Sequence, residues 1–134
     1  MILGISHITF IVADLERSAL FFKNIFGANE VYSSGYNTFS LSEEKFFLID
    51  NIWICIMKGD PLSERTYNHI AFHIDESDVD SYIARIQASG ATLIQDRPRV
   101  TGEGRSIYFY DFDNHLFELH TGTLSERLKS YSME

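Results

Sequence analysis

The chain has 134 residues, of which 45% are hydrophobic and 14% aromatic, and its formal net charge is −8 at pH 7. This length and composition predict one globular domain with a buried core rather than a disordered chain. The acidic balance argues against a surface for nucleic acid or for an anionic membrane, because both need concentrated Lys and Arg side chains.

The first half of the chain predicts a strand, a helix and three further strands. Residues 5–12 form an apolar strand pattern. Asp14 then precedes a run with apolar residues at helical spacing, and Gly27 follows it, so we predict a helix over Leu15–Phe26. The strands after it are predicted at residues 28–33, 38–41 and 46–57, the last of which can be interrupted at Asp50-Asn51.

The second half predicts the same order of elements. Residues 67–74 form a strand pattern, Asp75 or Glu76 opens an amphipathic helix, and Gly90 ends it. Three more strands are predicted at residues 92–95, 106–111 and 115–120. Loops are predicted at residues 61–65 and 97–105, and a short polar helix or tail at residues 125–134.

The two halves share a constant spacing. His7 and His69 lie on the first strand of each half, 62 residues apart, and Asp14 and Glu76 at the helix starts have the same separation. We therefore predict an α+β fold built from two βαβββ modules. The modules would cover about residues 1–60 and 65–122 of a single domain over residues 1–134, followed by a C-terminal tail.

The chain has a single cysteine, Cys55, which excludes an internal disulfide and suits a reducing compartment. It lies in an apolar run, so we expect a buried core residue rather than a nucleophile. No segment approaches the length of a membrane span, and the start of the chain lacks the pattern of a secretory signal. We expect a cytoplasmic location.

Glu118 lies among apolar and aromatic neighbours on the last predicted strand, where an ionised carboxylate is costly unless a cation or hydrogen bonds compensate it. His7 and His69 can complete a divalent-metal site with open coordination positions, as catalytic metals require. Nitrogen and oxygen ligands without sulfur suit Mn, Fe, Zn, Ni or Co. His73 and His120 are competing candidates, because each shares a sheet face with one member of this trio.

Four further polar side chains could serve such a site, although their spacing alone assigns no chemistry to them: Thr9, Tyr108, Arg127 and Glu44. Thr9 faces the same side of its strand as His7, and the phenol of Tyr108 could donate to a substrate oxygen. Each also has an ordinary structural interpretation. Thr9 can be a β-branched strand residue and Tyr108 an aromatic strand residue, while Arg127 can be a surface cation and Glu44 a solvated turn carboxylate.

The repeated βαβββ plan with His7, His69 and Glu118 resembles the vicinal oxygen chelate superfamily, which includes glyoxalase I, extradiol dioxygenases, bleomycin-binding proteins and fosfomycin resistance enzymes. Within it, four segments are similar to the fosfomycin resistance proteins: residues 6–9, 64–72, 102–120 and 122–128. The resemblance extends over nearly the whole chain. The segment SLSEEKFFLI at residues 40–49 is similar to their epoxide-hydrolase branch.

The resemblance implies a homodimer in which paired modules form cup-shaped metal sites with ligands from both chains. It implies that His7, His69 and Glu118 hold a divalent metal, usually Mn(II) in this branch. It further implies that Glu44 is the general base by which water is added to the epoxide of fosfomycin to give the inactive vicinal diol.

The phosphonate-binding residues of the relatives carry over onto Thr9, Tyr108 and Arg127. The chain departs from the glutathione-transferase branch at Gly102, where those relatives have a serine in a potassium-binding loop, and it lacks their lysine near Pro98. Arg97 or Arg99 could replace that charge. Potassium activation is therefore not implied for this chain.

Two alternative functions remain open. A thiol such as glutathione or bacillithiol could open the same epoxide, although a thiolate nucleophile needs no base like Glu44. The chain could also be a non-catalytic drug-binding protein, which would not need the metal trio. Extradiol dioxygenases are usually about twice as long, and glyoxalase activity is disfavoured because the first module has no carboxylate on its last strand.

Overall fold

Strands and helices follow one another in the predicted order, except that no strand forms at residues 38–41. The computed structural model describes residues 1–132, and the chain divides into two units. The first unit comprises Met1–Glu64 with Phe112–His115, and the second comprises Arg65–Asp111 with the chain from Leu116 onward. Each unit contains a strand, a helical segment and three more strands, so the predicted α+β fold of paired βαβββ modules is confirmed.

The first unit contains a four-stranded mixed sheet. Its strand order is β1-β4-β3-β2, with β1 and β4 parallel and the other neighbours antiparallel. The elements are β1 (His7–Val12), α1 (Leu15–Phe26), β2 (Asn29–Ser33), β3 (Glu44–Ile49) and β4 (Ile52–Lys58).

Helix α1 has the limits that the sequence predicts, because both of its ends are capped by local residues. The carboxylate of Asp14 accepts a hydrogen bond from the backbone N–H of Arg17 at 3.1 Å, and Gly27 takes the left-handed conformation with φ 65°. Phe22 and Ile25 are fully buried on the face that packs toward β3 and β4. Burial of such side chains contributes roughly 1.5–3 kcal/mol each.

The predicted strand at residues 38–41 is wrong, since this segment is irregular. Its apolar side chains Phe39 and Leu41 are 81% and 92% exposed, so they have no sheet face to cover and nothing favours strand pairing. The predicted interruption at Asp50-Asn51 is confirmed: a turn with Asp50 at φ 52° separates β3 from β4.

The second unit contains a sheet of the same topology, in the order β5-β8-β7-β6, with β5 and β8 parallel. A 3-10 turn, Glu76–Asp78, precedes its first helix, α2. The elements are β5 (His69–His73), α2 (Val79–Ser89), β6 (Thr92–Ile94), β7 (Ser106–Tyr110), β8 (Leu116–His120) and α3 (Leu124–Ser132).

The structure refines two predictions, one for the end of the chain and one for the start of the second helical segment. The predicted helix or tail at residues 125–134 is the helix α3, and residues 133–134 of that prediction lie outside the described residues. The cap of the second helical segment is Asp75 rather than Glu76, because the Asp75 carboxylate accepts the backbone N–H of Ser77 at 2.9 Å. No helix of the described chain is long and apolar enough to cross a membrane.

Candidate functional site

Two of the three predicted metal ligands lie together in the second unit. His69 opens β5 and Glu118 is the third residue of β8, and these two strands are parallel neighbours. The pairing places Ala71 opposite Glu118 and brings His69 Nε2 to 2.9 Å from Glu118 Oε1. Glu118 is only 4% exposed, so the sequence-based inference that this carboxylate is buried and compensated is confirmed.

The second carboxylate oxygen of Glu118 has partners of its own. Oε2 accepts a hydrogen bond from Ser106 Oγ and lies 3.4 Å from Arg99 Nη2. Burial alone would raise the pKa of Glu118, but the hydrogen bond from Ser106 and the positive charges nearby hold that pKa below its usual range. The side chain is therefore ionised at neutral pH, which is the form that binds a metal.

The orientation of His69 also suits a ligand. Its Nδ1 lies 2.6 Å from the backbone carbonyl oxygen of Tyr67, which can only accept, so Nδ1–H donates there and Nε2 is the ring nitrogen directed at Glu118. Nε2 lies 2.9 Å from Oε1 of Glu118, so an imidazole nitrogen and a carboxylate oxygen, both common ligands of divalent metals, are held side by side. The donor set at this position therefore fits a divalent metal.

His7 occupies the same place in the first unit as His69 does in the second, because each is the first residue of its unit's first strand. Its Nδ1 lies 3.1 Å from Ser6 Oγ, and its ring packs on Trp53 with a centroid distance of 4.2 Å. Within residues 1–132, no three His, Cys, Asp or Glu side chains gather into a metal-binding group. The predicted trio is thus divided between the units, and its joint role stays a prediction.

Strand register shows which residue of the first unit corresponds to Glu118. Thr9 is paired with Cys55, as Ala71 is paired with Glu118, so the repeat places a thiol where the second unit has its carboxylate. Cys55 is 3% exposed, as expected for a core residue. Burial, with the adjacent carboxylate of Glu44, raises the pKa of Cys55 to about 12, so its thiol keeps the proton at neutral pH.

The candidate base, Glu44, is buried at the start of β3, with 7% of its surface exposed. Glu44 is therefore not a solvated turn residue, and its neighbour Glu43, which is half-buried, forms an ion pair with Lys58 at 3.7 Å. Glu44 Oε1 accepts a hydrogen bond from Cys55 Sγ at 3.4 Å. The Glu44 backbone is held by the hydroxyl of Ser34 at 3.0 Å, which fixes the strand end.

The candidate substrate-binding residues are divided in the same way. Tyr108 on β7 is paired with Glu118, and its hydroxyl lies 2.9 Å from that of Tyr67. Burial and the neighbouring Tyr67 raise the pKa of Tyr108, so the phenol keeps its proton and can donate it. Arg127 is on α3 in the second unit, whereas Thr9 is on β1 in the first.

The sequence pointed to Arg97 and Arg99 in the loop between β6 and β7, but not to the ion pairs and hydrogen bonds that this loop forms. Arg99 Nε donates to Asp96 at 3.0 Å, Nη1 to Glu103 at 2.9 Å and Nη2 to the hydroxyl of Tyr108 at 3.1 Å. Arg97 pairs with the same Glu103, which is fully buried. The clustering of arginines with acidic residues over positions 96–105 was the available signal for this internal ion-pair network.

The two competing candidates, His73 and His120, have hydrogen-bond partners other than His69 and Glu118. His73 is exposed, and its Nε2 lies 3.1 Å from the carbonyl oxygen of Thr121. His120 is 8% exposed and lies between Ser106, at 2.7 Å from Nδ1, and Arg127, at 3.1 Å from Nε2. Burial and the charge of Arg127 lower the pKa of His120, so the ring is neutral.

Known proteins resemble the chain over nearly its whole length. Residues 4–119 match the model of the Glyoxalase/Bleomycin resistance protein/Dioxygenase superfamily. The chain is 66% identical over 131 residues to the fosfomycin resistance protein FosX of Listeria monocytogenes, covering 98% of both. It is 61% identical to FosX of Mesorhizobium japonicum, covering 96% of this chain and 92% of the relative. The metallothiol transferase FosB of Shouchella clausii is 35% identical, with coverage of 98% and 88%.

Solved structures agree with these relationships. A mutant of FosX from Listeria monocytogenes, complexed with Mn(II) and 1S,2S-dihydroxypropylphosphonic acid, superposes with a TM-score of 0.90 at 63% identity and covers 98% of this chain and 99% of that one. FosX from Mesorhizobium loti superposes with a TM-score of 0.87 at 57% identity, with coverage of 96% and 99%.

Proposed function

Since the chain belongs to the Glyoxalase/Bleomycin resistance protein/Dioxygenase superfamily and, within it, to the FosX fosfomycin resistance proteins, we propose its function from theirs. The proposed function is that of a Mn(II)-dependent epoxide hydrolase that inactivates fosfomycin. The observation that carries this proposal is the FosX structure at 63% identity with Mn(II) and a dihydroxypropylphosphonic acid. That compound is the vicinal diol which addition of water to the epoxide yields.

We propose that His7, His69 and Glu118 hold the Mn(II) ion. The nitrogen of His69 and the ionised oxygen of Glu118 already face each other at 2.9 Å, and His7 has the corresponding position in the repeat. Other divalent metals suit the same ligand types. When bound, the metal supplies Lewis-acid polarisation of the phosphonate and epoxide oxygens.

The proposed general base is Glu44. Its carboxylate would take a proton from water while the water oxygen bonds to an epoxide carbon and the carbon–oxygen bond of the ring breaks. The ring oxygen then gains a proton from solvent and Glu44 releases its own to solvent, so the net reaction adds one water and gives the diol. Burial of Glu44 and the hydrogen bond from the Cys55 thiol hold the carboxylate in one place, which a proton-transfer step requires.

Three hydrogen-bond donors are proposed to bind the phosphonate: Thr9, Tyr108 and Arg127. Arginine is suited to phosphonate oxygens, because its planar guanidinium carries several fixed donors. Tyr108 contributes a phenol that stays protonated. Together they would orient the epoxide for attack from the side opposite the breaking bond.

The second candidate function is a thiol transferase, which the FosB relatives support at 33% to 37% identity. Identity of 61% to 66% to the FosX proteins favours the hydrolase instead. The buried carboxylate of Glu44 also favours it, since addition of a thiolate requires no such base.

Assembly and location are part of the proposal. We propose a homodimer whose sites take ligands from both chains, since neither unit contains all three predicted ligands. The two modules would form one domain over residues 1–134 with a C-terminal tail. A cytoplasmic location is supported by the single cysteine, Cys55, which is buried as a free thiol.

The test is phosphorus NMR of fosfomycin with the Mn(II)-loaded protein, with and without glutathione or bacillithiol. Wild type should form the diol without a thiol, and Glu44→Gln should slow this by roughly a hundred to ten thousandfold. Glu43→Gln is the matched control, because it removes the neighbouring carboxylate, which pairs with Lys58 instead of Cys55, and it should retain full activity. Thiol-dependent turnover that survives Glu44→Gln would assign the chain to the transferases, and binding without turnover would indicate sequestration.

A further inference from the structure

His120 is a buried side chain that the proposed mechanism does not use. It is the last residue of β8, and both of its ring nitrogens have polar partners. Nδ1 lies 2.7 Å from Ser106 Oγ, which in turn donates to Glu118 Oε2. Nε2 lies 3.1 Å from Nη2 of Arg127. One ring thus stands between a candidate metal ligand and a candidate substrate-binding residue.

With Glu118, Ser106 and Arg127 as partners, one set of hydrogen-bond directions satisfies all the groups, whereas the backbone carbonyl of Glu103, which also lies at the ring, would accept from a protonated Nε2. The carboxylate of Glu118 can only accept, so the hydroxyl proton of Ser106 is used on Oε2. Ser106 Oγ must then accept from His120, which places the ring proton on Nδ1. Arg127 has donors only, so the unprotonated Nε2 accepts from it. Nδ1 also lies 3.6 Å from Glu118 Oε2, which favours a proton on that nitrogen.

The backbone around the ring is built to hold it there. Ser106 is paired with His120 across β7 and β8, so both side chains project from adjoining strands at the same register. A Cβ atom on Gly122 would lie 2.8 Å from His120 Nε2 and 2.3 Å from the carbonyl oxygen of Glu103. Only glycine permits the chain after β8 to pass this close to the imidazole.

We propose that His120, as its Nδ1–H tautomer, is a positioning residue that joins Arg127 to Glu118 through Ser106. At one end it orients the guanidinium of Arg127. At the other it aligns Ser106, which occupies Oε2 of Glu118 and leaves Oε1 beside His69 for the metal. The inference rests on the proposed function for the role of Arg127 in binding the phosphonate, and on the proposed ligand role of Glu118.

Two substitutions separate the two ends of this chain of hydrogen bonds. In His120→Asn the side-chain amide can replace the Nδ1–H donor but does not reach Arg127. In His120→Gln the amide oxygen can replace the Nε2 acceptor but leaves Ser106 without its donor. His73→Gln is the matched control, because it changes a neighbouring strand histidine whose Nε2 contacts only the carbonyl of Thr121 among the described residues.

Two constants are measured: the Mn(II) dissociation constant, from the electron paramagnetic resonance signal of free Mn(II) without substrate, and KM for fosfomycin at saturating Mn(II). His120→Asn should raise KM about 10- to 100-fold and change the Mn(II) constant little, whereas His120→Gln should raise the Mn(II) constant about 10- to 100-fold and change KM little. His73→Gln should change neither. Equal changes in both constants for both variants, or a change in thermal stability alone, would overturn the inference.

The tautomer is tested independently by nitrogen-15 NMR of the histidine rings in the Zn(II)-loaded protein, which avoids paramagnetic broadening. Protonation of His120 at Nδ1 alone is expected. Protonation at Nε2, with donation to the nearby carbonyl of Glu103, would overturn the inference. Both this readout and the Mn(II) constant need no fosfomycin. A wild-type protein that forms no diol would therefore refute the proposed function, and these two measurements would still decide the role of His120.

Discussion

Glu118 shows how a single residue can divide its two oxygen atoms between two tasks. Oε1 faces His69, and Oε2 is held by Ser106 and Arg99. Partners of this kind fix the orientation of a ligand and thereby the affinity of a metal site. At the corresponding position of the first unit the protonated thiol of Cys55 can serve no such purpose, so the repeat preserves geometry while changing chemistry.

We expect Glu118→Gln to weaken Mn(II) binding by at least about 100-fold, because it removes a charged ligand rather than a supporting partner. Diol formation should be lost with it. The measurement is a Mn(II) titration followed by electron paramagnetic resonance, with Glu76→Gln as the control, since Glu76 is an exposed carboxylate of the same unit. Unchanged Mn(II) affinity in Glu118→Gln would remove Glu118 from the ligand set, and fosfomycin binding that persists without metal would support a simple binding protein.

Among the elements of the second unit, the loop between β6 and β7 lies close against helix α3. Gly102 in this loop has φ 91°, a conformation that residues with a side chain rarely adopt. A Cβ there would lie 2.9 Å from Ser130 Oγ on α3. A side chain at this position would therefore require the hydroxyl of Ser130 to move.

Gly102→Ala is expected to destabilise the protein by roughly 1–3 kcal/mol, through backbone strain and the contact with Ser130. Adding Ser130→Ala to Gly102→Ala should restore only the part of the lost stability that comes from the contact, because the backbone strain at φ 91° remains. Urea denaturation of the single and double variants measures both parts. A Gly102→Ala protein as stable as wild type would show that the loop can adopt another path.

The same loop should contribute to acid sensitivity through Glu103. Burial would raise its pKa, but the hydrogen bond from Arg99 and the charge of Arg97 outweigh this and lower the pKa of Glu103 from 4.5 to about 2. Because the folded pKa is the lower one, this stabilisation is complete above pH 4.5 and is lost as the pH falls from 4.5 toward 2.

Glu103→Gln should therefore be less stable than wild type at pH 7, and the difference should shrink between pH 4.5 and pH 2. Urea denaturation at several pH values measures the unfolding free energies. Glu76→Gln should not change this pH dependence, since Glu76 is an exposed partner of Arg105. A constant difference between Glu103→Gln and wild type at all pH values would contradict the lowered pKa.

At the scale of the whole molecule, each unit contains part of the proposed machinery. The first unit has His7, Thr9 and Glu44. The second has the remaining residues, His69, Tyr108, Glu118 and Arg127. A homodimer with shared sites would complete two such sets by symmetry, and that arrangement makes a quantitative prediction.

Mixing two inactive variants tests the sharing of sites. His7→Ala and Glu118→Gln, unfolded and refolded together in equal amounts, should recover about a quarter of wild-type activity, because half of the dimers are mixed and each has one intact site. Each variant refolded alone should stay inactive. If the recovered activity is zero while mixed dimers form, all three ligands of a site come from one chain.

The sequence by itself determined the features that depend on neighbouring residues. Helix α1 was predicted at its observed limits, because an Asp cap, apolar spacing and a terminal Gly act within a few residues. The constant spacing between His7 and His69 predicted the two modules, since a repeated pattern folds alike twice. The motifs that resemble the fosfomycin resistance enzymes extended this to a function that the FosX relatives support.

Only the tertiary structure decided which side chains surround those residues. The burial of Glu44, the place of Cys55 in the repeat and the hydrogen bonds of His120 depend on strand register and loop path. Such contacts join residues far apart in the chain, so no local pattern encodes them. The irregular segment at residues 38–41 has the same cause: its strand-like composition lacked a partner to pair with, and pairing is what makes a strand.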